Sequence, residues 1–589
     1  MASDRTFELG LVMAGAISAG AYSAGVLDFL FEALDAYEEA KGQSGWSGPT
    51  HDVRVPVMAG ASAGGMTASI CALHAFHDLA HVWHDKPLPA PQENRLYSSW
   101  VRDISLDALL ETSDLDNGRD AAGLKSALCC DVLDRIVKDA FDLSPGLRQR
   151  NWIGRGDDKF LRVMVTLTNL RGVPYSFPLF GSQSAETFGM LNHSDYYDYA
   201  VGVAPAPPSE SCPLDIRYTT QPDWDLYRTT ALATGAFPVG LMPRKVRRPS
   251  AAYYRDAGTV GYEDPSSRRF VTIEPDGGFG TEAPYDFISV DGGVIDNAPL
   301  ELARRFLAGS AVHNDPNGES ASKAVLLVAP FPNFTQAPAA DVDDRLIHVV
   351  MKLAGTFVDQ ARFKPDELEK AANETFFSRF MISPTREGNG TPEAVAFPIA
   401  CGVLGGFGGF LHESFRHHDY LLGRRNAQAF LRWNFALPES NPLFAGVPID
   451  KERWHVRDAE GKSQSIAANA DQTLPKKSFA TIVGGAKAEV GFPIIPLVDR
   501  LCVPIELATT DMPRAQDVGI HELKAKIHSR ANSVVTTLVD VDLRRETDSL
   551  GVAGIAVRAG ASVFGTQIIT EKAISTIAAA IEQVTKAFA

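Results

Sequence analysis

VPVMAGASAGGMTASI, residues 55–70, is the stretch that decides the fold of this 589-residue chain. Valines alternate with other residues over 53–57, which predicts a half-buried strand, and apolar residues at helical spacing over 63–73 predict a helix. Between them lies Gly60-Ala61-Ser62-Ala63-Gly64, a glycine–x–serine–x–glycine sequence at a strand-to-helix junction. This arrangement is typical of a nucleophile elbow. The sequence therefore predicts that Ser62 is a nucleophile.

Physical chemistry favours a functional role for this turn. Gly60 and Gly64 permit a turn too tight for side chains, so the Ser62 hydroxyl is held away from the backbone. The helix that starts after Ser62 directs its free N–H groups toward negative charge that develops there. The alternative is a glycine- and serine-rich turn without chemistry, which the flanking strand and helix make less favoured.

A nucleophilic serine needs a base and an oxyanion site, and two further segments supply candidates. FISVDGGVIDNAPLELARRF, residues 287–306, predicts a strand ending at Asp291-Gly292-Gly293, followed by a helix from Pro299. FELGLVMAGAISAGAYSAGVLDFLFEAL, residues 7–34, predicts a strand, a small-residue loop and a helix. The loop from Gly15 to Gly20 is suited to bring backbone N–H groups close to a ligand.

Together these motifs resemble the patatin-like phospholipase family, and in particular its bacterial members with an extended C-terminal region. The segments VTLTNLRGVPYSFPLF (165–180) and YRTTALATGAFPVGLMP (227–243) agree with the family in order and spacing, and the resemblance covers about residues 7–335. The tract 408–431 is similar to a C-terminal motif of larger bacterial members. The family implies an α/β fold, a three-layer sandwich around a mainly parallel sheet.

The resemblance also implies a mechanism. By that reading Ser62 attacks an ester carbonyl of a phospholipid or related lipid, and Asp291 takes its proton directly, without a histidine. The two residues lie 229 positions apart, so only a fold that closes both strands into one sheet brings them together. An ordinary carboxylate, with a pKa of about 4, is a weak base toward a hydroxyl, so the site has to assist it. The alternative is that Asp291 has no catalytic role and belongs to an ordinary Asp-Gly turn.

One departure from the family concerns the first loop. Members usually carry three consecutive glycines and an arginine there, whereas this chain has Gly15, Ala16 and Ile17, with Ala19 at the arginine position. Gly15, Ala16, Ile17 and Gly20 are the candidate oxyanion loop. A positive φ would strain Ile17, and no role of the arginine is transferred.

Composition restricts partners and compartment. The formal charge of −16 disfavours nucleic acid and anionic membrane faces. Six cysteines without Cys-x-x-Cys spacing predict reduced thiols, no metal site and no cofactor. Residues 9–27 carry no charge, but their glycines and the acidic residues before them argue against a signal peptide or membrane span. We expect a cytoplasmic protein, peripheral at the membrane or micelle surface that holds its lipid substrate.

Three regions are predicted along the chain. Residues 1–335 form the catalytic domain, with a helical insertion at about 85–155 and a loop-rich stretch at 190–225. The insertion either shapes or covers an acyl pocket or is only a covering helical layer. Residues 336–435 form a helical region that packs on the catalytic domain through an Arg–Asp pair. Residues 436–589 are irregular and then helical. Apolar residues at 574, 577, 581, 584 and 588 predict a docking face onto this chain or onto a second copy in a homo-oligomer.

Two other functions compete with this interpretation. The first is an α/β-hydrolase esterase with a Ser-Asp-His triad, because His412, His417 and His418 follow Asp291 in the required order. The second is a catalytically silent patatin-like binding or scaffold protein, which the altered first loop favours. A histidine scan discriminates the first alternative, and labelling of Ser62 by a fluorophosphonate discriminates the second.

Overall fold

A computed structural model describes residues 5–115, 123–143, 146–155, 159–178, 187–207, 211–255, 260–264, 269–276, 279, 284–309, 313–331, 377–386, 398–454, 491–538, 570–571, 573–579 and 582. The strands are β1 (Thr6–Met13), β2 (Asp52–Gly60), β3 (Phe160–Pro178), β4 (Thr187–Gly202), β5 (Cys212–Asp215), β6 (Arg244–Pro249), β7 (Gly261–Asp264), β8 (Arg269–Thr272), β9 (Pro284–Asp291), β10 (Lys323–Val328), β11 (Arg379–Ile382), β12 (Ala436–Pro438) and β13 (Gly491–Pro493). The α-helices are α1 (Gly20–Ala40), α2 (Ala63–His74), α3 (Arg95–Tyr97), α4 (Leu106–Leu109), α5 (Asp131–Asp139), α6 (Pro222–Thr234), α7 (Ala251–Arg255), α8 (Leu300–Ala308), α9 (Glu413–Trp433), α10 (Lys451–Trp454) and α11 (Ile520–Thr537).

The main sheet has nine strands, in the order β11-β10-β1-β2-β3-β4-β5, with β9 added to β3 and β6 to β9. All neighbours from β11 to β3 are parallel, whereas β4 runs antiparallel to β3. Helices lie between the strands of two of these parallel pairs, α1 between β1 and β2 and α2 to α5 between β2 and β3. The predicted α/β fold with a mainly parallel sheet is confirmed.

Alternate side chains of β1 enter two different cores. Residues 7, 9, 11 and 13 pack on one face into the large core that includes α1 and α2. On the other face Val12 packs with Leu300, Ala303 and Leu307 of α8. A sheet buried on both faces between helices is the three-layer arrangement predicted from the sequence.

One edge of β3 carries two different strands in succession. β2 pairs with it in parallel and ends at Gly60, opposite Val165. β9 pairs with it antiparallel immediately beyond, so that Asp291 lies opposite Leu167. Because β4 occupies the other edge over both stretches, β2 and β9 share one edge and approach each other end to end. The residues that follow these two strand ends therefore meet, although they are far apart in sequence.

Helix α9, from the tract 408–431, packs along α1. Gly25 and Gly423 lie at the crossing, where a Cβ on either glycine would collide with a backbone carbonyl of the other helix. Arg424 is fully buried there and forms ion pairs with Asp28 and Glu32 of α1. The predicted helix that packs through an Arg–Asp pair is therefore present.

Within the described residues, one helical stretch, Ile17–Ala40, has the length and apolar composition of a membrane span. Its most apolar 18-residue window is 89% buried inside the protein. A buried core helix accounts for this stretch, which contains α1.

The described C-terminal residues continue the same core. Phe444, Phe492 and Ile494 belong to the hydrophobic cluster that contains β1 and α1. Ile574 and Ile577 pack within this chain, in a cluster with Phe415. Positions 581, 584 and 588 of the predicted stripe, and residues 332–376, lie outside the described residues. The domain boundaries and a homo-oligomer stay predictions.

Two local expectations are wrong. Residues 190–225 do not begin as a loop, because β4 (Thr187–Gly202) pairs along almost the whole of β3. In the insertion, which was expected to be helical, residues 123–130 are not helical and α5 begins only at Asp131. Both errors have the same cause, since pairing and packing partners distant in sequence override local composition.

His51 connects the start of β2 to the C-terminal part of the chain. Its side chain is fully buried, and Nε2 donates a hydrogen bond to the carbonyl oxygen of Ile494 at 2.8 Å. Burial lowers the pKa of His51 from 6.5 to about 4, because the charged imidazolium loses its hydration. The folded protein therefore holds this imidazole neutral.

We expect the free energy of unfolding to fall as the pH drops from 6.5 to about 4. Over that range the unfolded chain binds a proton at His51 that the folded protein excludes, which costs roughly 3 kcal/mol. Urea unfolding at pH 7 and near pH 4.5 measures this loss. In His51→Gln, which keeps a donor, the loss should be smaller by about that amount, while exposed His84→Gln should lose as much as wild type. An equal loss in His51→Gln would contradict the prediction.

Candidate active site

Ser62 occupies the turn between β2 and α2 with a φ of 53°. A positive φ is unfavourable for serine, so neighbouring groups have to hold the turn. The Ser62 N–H donates to Thr234 Oγ1 at 2.9 Å, and the Ala61 N–H donates to the carbonyl of Met13 at 3.2 Å. Ala61 and Ala63 on either side are buried. A strained serine at a strand-to-helix turn has the backbone arrangement of an elbow.

Two residues of the turn have no space for a side chain. A Cβ at Gly64 would collide with the carbonyl oxygens of Met13 and Ala14, and a Cβ at Gly60 would meet the backbone of Gly64. The turn therefore packs its backbone directly against the end of β1. This close approach is the physical reason for glycine at both positions.

Asp291 lies at the end of β9 and is only 4% exposed. Its Oδ2 accepts a hydrogen bond from Ser62 Oγ at 2.6 Å, and its Oδ1 accepts one from the Gly293 N–H at 2.7 Å. Its backbone is held too, since its carbonyl accepts from Thr168 Oγ1 at 2.8 Å and its N–H donates to Ala236 at 2.9 Å. The carboxylate is thus fixed with one oxygen on the serine hydroxyl.

Gly292 and Gly293 allow the chain to turn sharply behind Asp291. A Cβ on Gly292 would collide with the backbone of Thr166 in β3. A Cβ on Gly293 would collide with the side chain of Asn297. The turn that orients the carboxylate therefore has no space for larger residues.

The first loop lies beside the turn but offers fewer free donors than its sequence suggests. The Gly15 N–H donates to the carbonyl of Asn297 at 3.0 Å. The Gly20 N–H donates back into the preceding 3₁₀ turn, and Gly20 begins α1. Ala16 and Ile17 are then the members of this loop whose N–H groups are candidates for binding an oxyanion.

Helix α2 supplies further donors. Its hydrogen-bond ladder starts with the N–H groups of Gly65 and Met66, which donate to Ala61 at 3.1 Å and to Ser62 at 3.0 Å. The N–H groups of Ala63 and Gly64 come before this ladder, so they have no intrahelical acceptor. The positive end of the helix dipole thus lies directly beside the serine.

An apolar cavity of about 700 Å³, including its opening, contains both Ser62 and Asp291. Its other lining residues are almost all apolar: Ile17, Ala63, Met66, Ile70, Ser99, Trp100, Ile104, Leu109, Leu128, Leu133, Ile136, Gly235, Phe237, Leu241, Phe407 and Phe410. Seven of them, from Ser99 to Ile136, come from the insertion, which therefore forms a wall of the cavity.

The C-terminal region closes another side of the cavity. Phe407 packs edge-on against Phe237, with 5.8 Å between the ring centroids. Ser18 in the first loop ties this segment down, because its Oγ donates to the carbonyl of Gly406 at 2.5 Å and accepts from the Gly409 N–H at 3.0 Å. The hydrogen bonds of Ser18 therefore connect the first loop directly to residues 406–410, the C-terminal wall of the cavity.

Arg416 of α9 links the two walls. This buried side chain donates from Nε to the carbonyl of Val101 at 2.9 Å, and from Nη1 to the carbonyl of Gly409. Val101 follows the cavity residue Trp100, and Gly409 precedes the cavity residue Phe410. Sequence reasoning missed Thr234, Trp100, Phe407 and Phe410 as site residues. Thr234 and Phe410 lie in the segments 227–243 and 408–431 that resemble the family, but those patterns do not state which of their residues reach Ser62.

The three candidate triad histidines lie elsewhere. His412 bonds Ser414 at the start of α9, His417 lies 2.7 Å from the hydroxyl of Tyr97, and His418 lies 2.8 Å from Asp419. None of the three lines the cavity. Within the described residues, the structure therefore does not bring any of them to Ser62.

The α/β sandwich and the serine at its strand-to-helix turn define the class, an α/β domain with a nucleophile-elbow turn. A family model described as patatin-like phospholipase matches residues 11–304, and the chain belongs to this family. The family supports lipid acyl hydrolase activity in general.

Two further proteins are similar to the chain. The uncharacterized protein y4iI of Sinorhizobium fredii (strain NBRC 101917 / NGR234) is 34% identical over 590 residues, covering 93% of this chain and 78% of the relative. The crystal structure of VipD from Legionella pneumophila aligns with 98% of this chain and 91% of its own, at 12% identity. Its TM-score of 0.20 is too low to carry an argument about fold or function.

Ile17 has a φ of 48°. This is the positive φ that, by the sequence analysis, would strain an isoleucine at this position. An L-residue in this region costs about 1–2 kcal/mol, which glycine avoids. We expect Ile17→Gly to be more stable than Ile17→Ala by about 1 kcal/mol, because both remove the side chain but only glycine relieves the backbone. Urea unfolding of the two variants measures the difference.

Ala16 provides the matched control, because its φ is −146°. Ala16→Gly should destabilise the protein, which is the usual order of the two residues. An Ile17→Ala variant as stable as Ile17→Gly would show that residue 17 is not strained.

Proposed function

We propose that this protein is a serine lipid acyl hydrolase that cleaves ester bonds of phospholipids or related lipids with a Ser62–Asp291 dyad. The observation that carries the proposal is the 2.6 Å hydrogen bond from Ser62 Oγ to Asp291 Oδ2 inside an apolar cavity. The general activity follows from the family, whereas the ester class and the residue roles are our inference.

The chemistry follows from this geometry. Ser62 Oγ attacks the ester carbonyl while Asp291 accepts its proton, which gives a tetrahedral intermediate with negative charge on the former carbonyl oxygen. The N–H groups of Ala63 and Gly64 stabilise this charge, together with those of Ala16 and Ile17. Collapse of the intermediate expels the alcohol, which takes the proton from Asp291. Water, activated by the same carboxylate, then releases the acid from the acyl-serine.

The cavity argues for a lipid substrate. Its lining is aliphatic and aromatic, with Ser62, Asp291 and Ser99 as its only side chains that carry oxygen, so it favours an acyl chain over a polar group. Exclusion of water around Asp291 strengthens its hydrogen bond to Ser62. No observation within the described residues favours the triad alternative over the dyad.

Ser62→Ala should lower hydrolysis of a short-chain ester to less than about a tenth of the wild-type rate, the scale of a lost nucleophile. The variant removes one buried oxygen, so its melting temperature should change little. Initial rates with a soluble chromogenic ester measure the effect. Ser99→Ala is the matched control, because it removes a hydroxyl from the same cavity and should keep the wild-type rate.

The same pair tests the silent-scaffold alternative. A fluorophosphonate should label wild type and Ser99→Ala but not Ser62→Ala. An unlabelled wild-type protein with no activity toward any ester would overturn the proposed function.

Asp291→Asn should lower kcat by roughly 10²-fold or more, because the amide keeps the size of the side chain but accepts no proton. The wild-type rate should also fall on the acid side as Asp291 becomes protonated. Steady-state rates and the melting temperature are measured together. His412→Ala should keep its rate, since His412 lies outside the cavity. A folded Asp291→Asn enzyme with near wild-type kcat would reduce Asp291 to a turn residue.

A further inference from the structure

The loop at residues 237–243 has an unusual composition. It reads Phe-Pro-Val-Gly-Leu-Met-Pro, so no side chain in it forms strong hydrogen bonds. Val239 at its centre is 83% exposed, and the residues around it are partly exposed. A continuous apolar run on a protein surface is unfavourable in water unless something covers it. We call residues 237–243 the apolar loop.

The apolar loop borders the site through two of its residues, and Val239 is not one of them. The loop starts directly after Ala236, whose carbonyl accepts from the Asp291 N–H at 2.9 Å. Phe237 and Leu241 line the cavity that contains Ser62, while Val239 between them is exposed to solvent. The loop is therefore at once a wall of the cavity and an apolar surface at its edge.

The exposure of Val239 is enforced by the structure. Its φ is 68°, a conformation that a β-branched residue strongly disfavours. Its carbonyl accepts from the Ala127 N–H at 2.8 Å, and the carbonyl of Gly240 accepts from the Leu128 N–H at 3.0 Å. The insertion thus holds the loop in place while the valine side chain has no cover. Strain that the fold maintains at such a position points to a function.

The charges beside the loop are all paired, and only one positive charge is in excess, because two cations share one carboxylate. Arg244 pairs with Asp134 at 2.8 Å, and Lys245 and Arg247 both pair with Asp286, at 3.2 and 2.7 Å. With a net charge of −16 on the whole chain, little attraction to an anionic surface is left. Apolar contact is the interaction that this surface offers.

We propose that the apolar loop is the docking surface for an uncharged or zwitterionic lipid–water interface, with Val239 inserted among the lipids. The inference rests on the proposed function, because the cavity behind Phe237 and Leu241 then takes an acyl chain directly from that interface. The partner follows from this continuity: the surface that the loop meets is the one that supplies the substrate. Burial of one valine side chain corresponds to about tenfold in affinity.

The test compares full-length Val239→Asp with wild type. Aspartate tolerates a positive φ better than valine, so the variant should fold. Binding to phosphatidylcholine vesicles, measured by co-sedimentation, should weaken about tenfold, and hydrolysis of vesicle lipid should fall with it. Hydrolysis of a monomeric short-chain ester should stay within about twofold. Vesicles with added anionic lipid should bind wild type no more tightly.

Val503→Asp is the matched control, because Val503 is 63% exposed but does not line the cavity. It should match wild type in all three assays. The proposal is overturned if Val239→Asp binds vesicles as well as wild type, or if binding falls equally in both variants. It is also overturned if wild type binds no vesicles but self-associates through this loop. A protein inactive on every ester would defeat the proposed function alone, because vesicle binding still reports on the loop.

Discussion

The contact between Ser62 and Asp291 depends on where two strands end along β3. β2 stops opposite Val165 and β9 stops opposite Leu167, on the same edge. A shift of β9 by one residue would turn the Asp291 side chain to the opposite face of the sheet. The hydrogen bonds of the Asp291 backbone with Thr168 and Ala236 fix this register. The register of β2 and β9 on β3 thus determines that the Ser62 and Asp291 side chains meet.

The second constraint is the environment that this junction creates. The carboxylate of Asp291 accepts a hydrogen bond from the Gly293 N–H on Oδ1 and from the Ser62 hydroxyl on Oδ2. The surrounding walls are apolar and both side chains are buried, which limits competition from water for their hydrogen bond. The start of α2 contributes the opposite polarity beside the serine. A buried carboxylate, a serine hydroxyl and the positive end of a helix dipole therefore lie together in one apolar cavity.

The sequence predicts the parts of this arrangement that are local. The turn at Ser62 and the Asp-Gly-Gly turn each depend on a few adjacent residues. For Ile17 the sequence stated only that a positive φ would cause strain, and the structure supplies the φ of 48°. The fold class was predictable because alternating strand and helix patterns restrict a chain to few layers. The register of β9 was not, since nothing in its own residues states which part of β3 it pairs with. For the same reason β4 was missed. Because β4 occupies one edge of β3, β2 and β9 both pair with the other edge, and this arrangement was missed as well.

The C-terminal region shows why the family match alone does not delimit the functional unit. The match ends at residue 304, yet Phe407 and Phe410 line the cavity and Ser18 bonds the segment between them. The buried Asp28 and the partly buried Glu32 of α1 both have Arg424 of α9 as a partner, and a buried charge without its partner is strongly destabilising. Helix α1 therefore needs α9 to balance the charge of its carboxylates. The cavity likewise needs Phe407 and Phe410, in the segment before α9, for one of its walls. In this chain, residues beyond the family match complete both the core and the site of the domain.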